Sequence, residues 1–311
     1  MQKIRASLSR LFLNKPSKSE LARLHQLELL QREHQGKPFV FDEGNLRFMY
    51  FNQKSVQSAM KINAPDELLC GYTSAMMAFL LVNPAPQQIL MIGLGGGSLV
   101  KFCYHYLPDC HITVLEIDPD VIALREQFMI PANDDRLTII HCDAIDYLAQ
   151  NTLQVDVLLL DGFDAEGLVQ ELNTASFYAA CHAALKPTGI LVANMWGKRA
   201  LLVPLLSALR GQFAQNVWWC RSLDSYNLIV FSLKSKLSKF TPSNASQLQT
   251  GDQSLTLQLT KLNQQMRTLH VPEDADYDAR ELVALTADLA TLLVTDDSLP
   301  RSEVEWSATH Q

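Results

Sequence analysis

The sequence predicts an α/β fold with a mostly parallel sheet and a small antiparallel β unit ahead of it. Three observations carry this reading. From Ile89 to Leu233 short apolar runs alternate with helical stretches, the pattern of parallel strands joined by crossover helices. The first run, Ile89 to Ile92, passes directly into Gly93-Leu94-Gly95-Gly96-Gly97-Ser98 and then into a helical stretch. In that setting glycines permit positive φ and a close ligand approach, and the helix N-terminus adds free N–H groups. A purely structural tight turn is the competing reading of the same glycines. Upstream, Phe39 to Ile62 reads as short strands around Asp42-Glu43-Gly44-Asn45.

Taken in order, Met1 to Ser19 carries Lys3, Arg5, Arg10, Lys15 and Lys18 with no acid. Ile4, Leu8, Leu11 and Leu13 offer an apolar face, so a membrane-surface or transit role stands against a plain basic extension. Ser19 is placed to cap a helix from Glu20 to Gln35, which Gly36 and Pro38 would stop. Phe39–Phe41 and Leu46–Phe51 read as a hairpin with a four-residue turn, and Val56–Ile62 as a third strand. Glu67 to Val82 is mostly apolar and reads as a helix with Tyr72 near its start.

In the main sheet, strands are expected at Ile89–Ile92, His111–Leu115, Leu137–His141, Val155–Leu160, Gly189–Asn194, Asn216–Arg221 and Asn227–Leu233. The last two are close enough to pair antiparallel. Helices are expected at Leu99–Tyr106, Asp120–Phe128, Ile145–Gln150, Thr174–Leu185 and Arg199–Phe213. Lys234 to Gln253, rich in Ser, Thr and Gln, reads as a linker ahead of a final helix over Ala279–Leu293. The expected organisation is therefore a basic and helical extension over 1–36, a β unit with its connecting helix over 37–80, a nucleoside-binding domain over 81–234, and linker, helix and tail over 235–311.

Composition narrows the function. A net charge of −7 argues against a broad nucleic-acid surface and is compatible with a small cationic substrate. Six scattered cysteines without a Cys-x-x-Cys pair, and no secretory signal, read as reduced thiols and a cytoplasmic location. The eight histidines show no metal spacing, so no metal is expected. No apolar run approaches the roughly 18 residues of a membrane span.

Acids gather at the strand ends. Glu116 ends the second main strand, 23 residues after Gly93, and an acid about 20 residues past such glycines can bind ribose hydroxyls. Asp143, with Ala144 beside it, lies just past the third strand, and Asp161 ends the fourth. In an open α/β sheet those ends line the ligand crevice. Each acid singly also fits a helix cap or a turn.

The ordered set Ile92-Gly93-Leu94-Gly95-Gly96-Gly97-Ser98, Leu115-Glu116-Ile117-Asp118, Asp143-Ala144 and Asp161-Gly162-Phe163-Asp164 resembles the spermidine synthase family. These are aminopropyltransferases on the Rossmann-like fold of class I methyltransferases. The early β unit matches the family, Gln57 sits in a place like its early glutamine, and Thr295-Asp296-Asp297 is similar to a motif near the end of some members. The resemblance implies that Gly93, Gly95 and Gly97 line a sulfonium nucleoside and that Glu116 takes its ribose. It implies further that Asp143, with Ala144, contacts the adenine amino group. Asp161 would face the reacting amine, Asp164 would hold the polyamine, and Tyr72 would match the tyrosine of a Tyr-His-Glu segment.

The sequence departs from that pattern at four places. The family loop reads Gly-Gly-Gly-Asp-Gly-Gly, with its aspartate on the amino group of the aminopropyl donor, and that position is Gly96 here. Thr73 and Ser74 follow Tyr72 in place of His-Glu, and Ala165 follows Asp164 in place of proline. Asp224-Ser225-Tyr226-Asn227 occupies the region of a Pro-Thr-Tyr-Pro segment. The nucleoside half thus matches the family and the amine half departs from it.

The expected function is aminopropyl transfer from decarboxylated S-adenosylmethionine to a polyamine, with the donor as co-substrate. The alternatives are methyl transfer from S-adenosylmethionine to an unidentified acceptor, and a non-catalytic nucleoside-binding homologue. A nicotinamide dehydrogenase fits less well, because Ser98 replaces the third motif glycine. A small cationic amine is the expected partner, and a homodimer is left open.

Overall fold

The computed structural model describes residues 18–52, 55–150, 152–163, 167, 169–196, 199–213, 216–222, 227–235 and 267–268. The expectations for the basic extension before residue 18, the linker past Ser235, the final helix and Thr295-Asp296-Asp297 lie outside them, apart from residues 267–268.

Helix α1 spans Lys18–His34. Ser19 is therefore its second residue rather than its cap. Gln35 and Gly36 follow at φ +52° and +83°, the left-handed turn that ends a helix. A three-stranded antiparallel sheet comes next: β1 (Phe39–Glu43), β2 (Leu46–Asn52) and β3 (Ser55–Lys61), in that order. Glu43 pairs with Leu46, so the hairpin turn is two residues, Gly44-Asn45, not four. Gly44 at φ +60° supplies the positive φ that a two-residue turn needs. One face of this sheet, with Phe39, Phe41, Phe48 and Tyr50, packs with Leu27 of α1; Met49 and Met60 face the main core.

The expected helix over Glu67–Val82 is shorter and changes pitch. It is α2 (Gly71–Met76) followed by a 3₁₀ segment, Met77–Leu81, with Val82 N–H bonded to Phe79 three residues back. Ala75 to Leu80 are buried completely, so packing on all sides sets this segment rather than one amphipathic face.

The main sheet contains β4 (Gln88–Ile92), β5 (His111–Glu116), β6 (Leu137–His141), β7 (Val155–Leu160), β8 (Leu185–Met195), β9 (Val217–Arg221), β10 (Leu228–Leu233) and β11 (Arg267–Thr268). Their order is β11-β9-β10-β8-β7-β4-β5-β6. The pairings from β8 to β6 are parallel; β10 pairs antiparallel with β8 and β9, and β11 antiparallel with β9. Strand β11 lies in the stretch expected to hold only linker, helix and tail.

The crossover helices are α3 (Ser98–Tyr106), α4 (Pro119–Ala123), α5 (Ala144–Gln150), α6 (Ala175–Ala184) and α7 (Arg199–Phe213). Helix α4 ends earlier than its sequence predicts. Leu124 and Arg125 bond only three residues back, and Met129 turns the chain out at φ +53°. The central strands are buried on both faces, which explains their unbroken apolar runs. Ile89 and Met91 face one core layer, and Leu90 and Ile92 the other. No helix among the described residues is long and apolar enough to cross a membrane.

Strand order reverses direction between β4 and β7, since β5 lies on one side of β4 and β7 on the other. β4 is tied to both neighbours at that point: Asp161 N–H, just past β7, donates to Ile92 O at 2.9 Å, and Gly93 N–H donates to Leu115 O of β5 at 2.9 Å. Gly93 takes φ +95°, and a Cβ there would overlap the backbone carbonyl of Asp161. Gly93→Ala should therefore lower stability by about 2–4 kcal/mol, strain and overlap together. Gly95 takes φ +50° with open space where its Cβ would point. Gly95→Ala should cost about 1–2 kcal/mol, the left-handed strain alone. Urea unfolding of the two variants checks the difference.

Candidate functional site

The carboxyl ends of β4, β5, β6 and β7 meet around this reversal, where ligands bind in open α/β sheets. The glycine loop leaves β4 there. Gly97 at φ +65° opens α3 as its N-cap, and a Cβ at Gly97 would overlap Ile130. Gly93 and Gly97 are thus glycine because neighbouring atoms sit against them. Gly95 is the loop glycine with an open face.

Glu116 ends β5 and is 8% exposed. Its Oε2 accepts from Leu94 N–H at 2.8 Å and its Oε1 from Asp118 N–H at 2.9 Å. The carboxylate therefore clamps the glycine loop to the end of β5. Burial pushes its pKa above the usual glutamate value, and the backbone donors of Asp118, Leu94 and Ile117 hold it back. Asp118 caps α4 by accepting from Asp120 N–H at 2.8 Å, with Pro119 at the first helical position.

Asp143 is half-buried and accepts from Ile145 N–H at 2.7 Å at the start of α5, beside buried Ala144. It serves as a turn residue there with lone pairs to spare. Two apolar side chains missed by the sequence reading flank these acids: Ile117 is 64% exposed and Ile145 38%. Their signal was an apolar residue next to each acid, where a polar one is usual.

Asp161 directly follows β7 and is half-buried. Asn194, near the end of β8, donates its Nδ2 to Asp161 Oδ1 at 2.8 Å. Tyr72 of α2 donates a second side-chain hydrogen bond to the same carboxylate. Burial pushes the Asp161 pKa up, and the Asn194 and Tyr72 hydrogen bonds pull it down. The fold thus brings Tyr72 of α2 to the Asp161 carboxylate. Asp164 lies outside the described residues, as does Asp224-Ser225-Tyr226. The chain past Asp161 is tied down where Val169 O accepts from Asn173 Nδ2 at 2.7 Å and Tyr178 Oη donates to Asn173 at 2.5 Å.

The floor of the loop is built by β3 and the turn after α4. A Cβ at Gly96 would meet Ser58 Oγ at 2.5 Å and Phe128 Cδ1 at 2.8 Å. Ser58 and Phe128 are buried, while Gln57, next to Ser58, is half-buried. Behind Phe128, the buried Lys101 Nζ donates to Phe128 O at 2.8 Å and lies 3.0 Å from Met60 Sδ. Burial pushes its pKa down to about 8, against a raising influence from Asp66. Among the described residues, no three metal-ligating side chains come together.

The family model described as "Spermine/spermidine synthase domain" matches residues 69–237. A polyamine aminopropyltransferase of Chromobacterium violaceum is 40% identical over 158 residues, covering 50% of this chain and 60% of the relative. The chain thus matches about three-fifths of that relative's length. A probable spermidine synthase from Corynebacterium glutamicum superposes with a TM-score of 0.59 at 19% identity, over 68% of this chain and 81% of the other. Human methyltransferase-like protein 13, solved with SAH, superposes with a TM-score of 0.53 at 22% identity, over 67% and 96%. These two likenesses carry the fold, which is the expected Rossmann-like one.

Two outcomes test the site's construction. Gly96→Asp should destabilise the chain by about 1–3 kcal/mol, because Ser58 and Phe128 must shift to admit it. Adding Ser58→Gly should recover part of the loss in urea unfolding. Glu116 holds its proton to higher pH when folded than when unfolded, so it withdraws stability as pH rises from 4.5 through its raised folded value. In Glu116→Gln that part of the pH dependence should vanish from thermal melts taken across the same range.

Proposed function

Because the chain belongs to the spermine/spermidine synthase domain family, we propose that it is a transferase that moves an aminopropyl group from decarboxylated S-adenosylmethionine to a polyamine. The observation that carries this reading is the Asp161 carboxylate, held by Asn194 and Tyr72 at the strand reversal beside a glycine loop clamped by Glu116. Gly95 and the surfaces of Ile117 and Ile145 would receive the nucleoside. Glu116, with acceptor capacity left on each oxygen, would take the ribose hydroxyls, and Asp143 the adenine amino group. Gln57 would border the donor from the side of β3. A cytoplasmic location and a small cationic amine partner belong to the same reading.

The reaction is an in-line displacement. The amine nitrogen forms a bond to the carbon attached to the sulfonium, the carbon–sulfur bond breaks, and a neutral thioether leaves. A free alkylamine titrates near a lysine, at about 10.4, and arrives protonated. Asp161 would attract that cation and accept the proton that must leave before or during attack. At about 4 Å and an effective dielectric near 20 one such charge pair is worth roughly 4 kcal/mol before desolvation. Positioning supplies most of the remaining acceleration, since the thioether is already a good leaving group.

A second reading, methyl transfer from S-adenosylmethionine, is favoured by the loop floor. Gly96 brings no carboxylate, and Ser58 and Phe128 fill the place of a side chain there, with the Lys101 amine behind them. Gly96 itself sets no acid against a donor tail that bears its own carboxylate.

Calorimetry with the two donors separates the readings. Decarboxylated S-adenosylmethionine should bind more tightly than S-adenosylmethionine, and at 100 times Kd it should add about 2.7 kcal/mol of stability. The opposite preference favours methyl transfer. With an amine acceptor found among diamines and triamines, Asp161→Asn should keep donor affinity and lose about 10²–10⁴ in turnover. Near-normal turnover in that variant removes Asp161 from the chemistry.

A further inference from the structure

Asp161 is the third side chain in a chain of hydrogen bonds that begins on the antiparallel strand. Asn227 Nδ2 donates to Asn194 Oδ1 at 2.9 Å, and Asn194 Nδ2 donates to Asp161 Oδ1 at 2.8 Å. Asn194 is 2% exposed and sits next to the end of β8, opposite Ile229 of β10. Because β10 runs antiparallel to β8, its first residues lie at the crevice edge of the sheet. Asn227 immediately precedes it there, and its carbonyl closes the connection from β9 by accepting from Ser222 N–H at 2.9 Å.

The direction of this relay matters chemically. An ionised carboxylate only accepts hydrogen bonds, whereas an amide offers an accepting end and a donating end. A turned-over Asn194 would set its carbonyl oxygen against the Asp161 carboxylate. The donor from Asn227 occupies that carbonyl oxygen, and so directs the NH₂ group at Asp161. We propose that Asn194, oriented by Asn227, is a positioning residue that keeps Asp161 ionised and fixes which of its oxygens is left for the amine. This inference rests on the proposed role of Asp161 in transfer and assigns that role's support to one residue on β8 and one just ahead of β10.

The surroundings make the effect readable. Among the described residues, Tyr72 of α2 is the titratable side chain that hydrogen-bonds Asp161. Glu116 of β5 is turned to Leu94 and Asp118. Gly93 faces Asp161 from the β4 side without a side chain, and Asn194 and Asn227 carry no charge.

The test is the pH profile of kcat/KM with an amine acceptor, measured for Asn194→Leu, Asn227→Ala and Asp161→Asn. Losing a donor to the ionised form raises the Asp161 pKa, so the acid limb should move to higher pH. The expected shift is about one to two units in Asn194→Leu. In Asn227→Ala it should be smaller and in the same direction. Donor-nucleoside affinity should stay as in the natural protein. A folded Asn194→Leu whose acid limb does not move, or whose turnover falls equally at every pH, overturns the inference. If Asn194→Leu does not fold, an unmoved limb in Asn227→Ala overturns it instead. Asp161→Asn keeps the two readings apart. Near-normal turnover there defeats the proposed function's use of Asp161. Lost turnover there with unmoved limbs in the asparagine variants defeats only the relay.

Discussion

A side chain at Gly93 would occupy the space taken by the carbonyl of Asp161. That missing atom lets the chain turn off β4 directly over the end of β7. The contact also sits where Ile92 O accepts from Asp161 N–H, so loop and carboxylate are registered by the sheet itself. The rest of the site hangs from this junction. Leu94 reaches Glu116 because Gly93 has turned the loop toward β5, and Asp161 reaches Asn194 because β7 and β8 run parallel to the same edge. Hydrogen bonds of 2.8–2.9 Å hold both arms. Their strength falls away with displacements smaller than a methyl group, so the whole arrangement requires glycine at one position.

Two carboxylates flank the junction, Glu116 buried and Asp161 half-buried, and the chain treats them differently. Burial raises the pKa of each, and hydrogen bonds oppose it. For Glu116 the donors are backbone N–H groups that cannot rearrange without moving the loop. For Asp161 they are the side chains of Tyr72 and Asn194. A fixed cradle suits a group that holds a ligand in one place. Side-chain donors can be set by the residues behind them, as Asn227 sets Asn194. In the proposed reaction the first carboxylate would hold the nucleoside and the second would meet the amine.

Much of this was legible in the sequence, and the reason is local. Central parallel strands are buried on both faces, so Ile89–Ile92 and Val155–Leu160 announce themselves as apolar runs, and the residue that follows each lies at the crevice edge. Glu116 and Asp161 could be read by that rule, whereas Asp143 lies one residue further on, after Cys142. Asn194 follows the same rule, since it comes right after the apolar run Ile190–Ala193, but an amide was not weighed as a site residue. Asn227 was not readable this way, because it precedes its strand, and only the antiparallel direction of β10 carries it to the crevice. The pitch change after Met76 and the early end of α4 were hidden for another reason. Complete burial in the first case and a positive φ at Met129 in the second overrode the local pattern.

The loop floor shows why one departure from a family pattern is not one substitution. Gly96 stands where the family carries an aspartate, which read alone is a lost charge. In the folded chain the place of that side chain is filled from two directions, by Ser58 from β3 and by Phe128 from the turn after α4. Phe128 is in turn fixed through its carbonyl by Lys101, whose ammonium is buried despite the cost of desolvation. A buried amine with one carbonyl and one sulfur partner is tolerated only where its position is over-determined. Here Met60 and Phe128 supply that from separate elements. Restoring an acid at 96 would force Ser58, Phe128 and the lysine behind it to move together. The small β unit is therefore a wall of the crevice rather than an appendage, and glycine at 96 is one part of a packed floor that spans β3, α3 and the turn after α4.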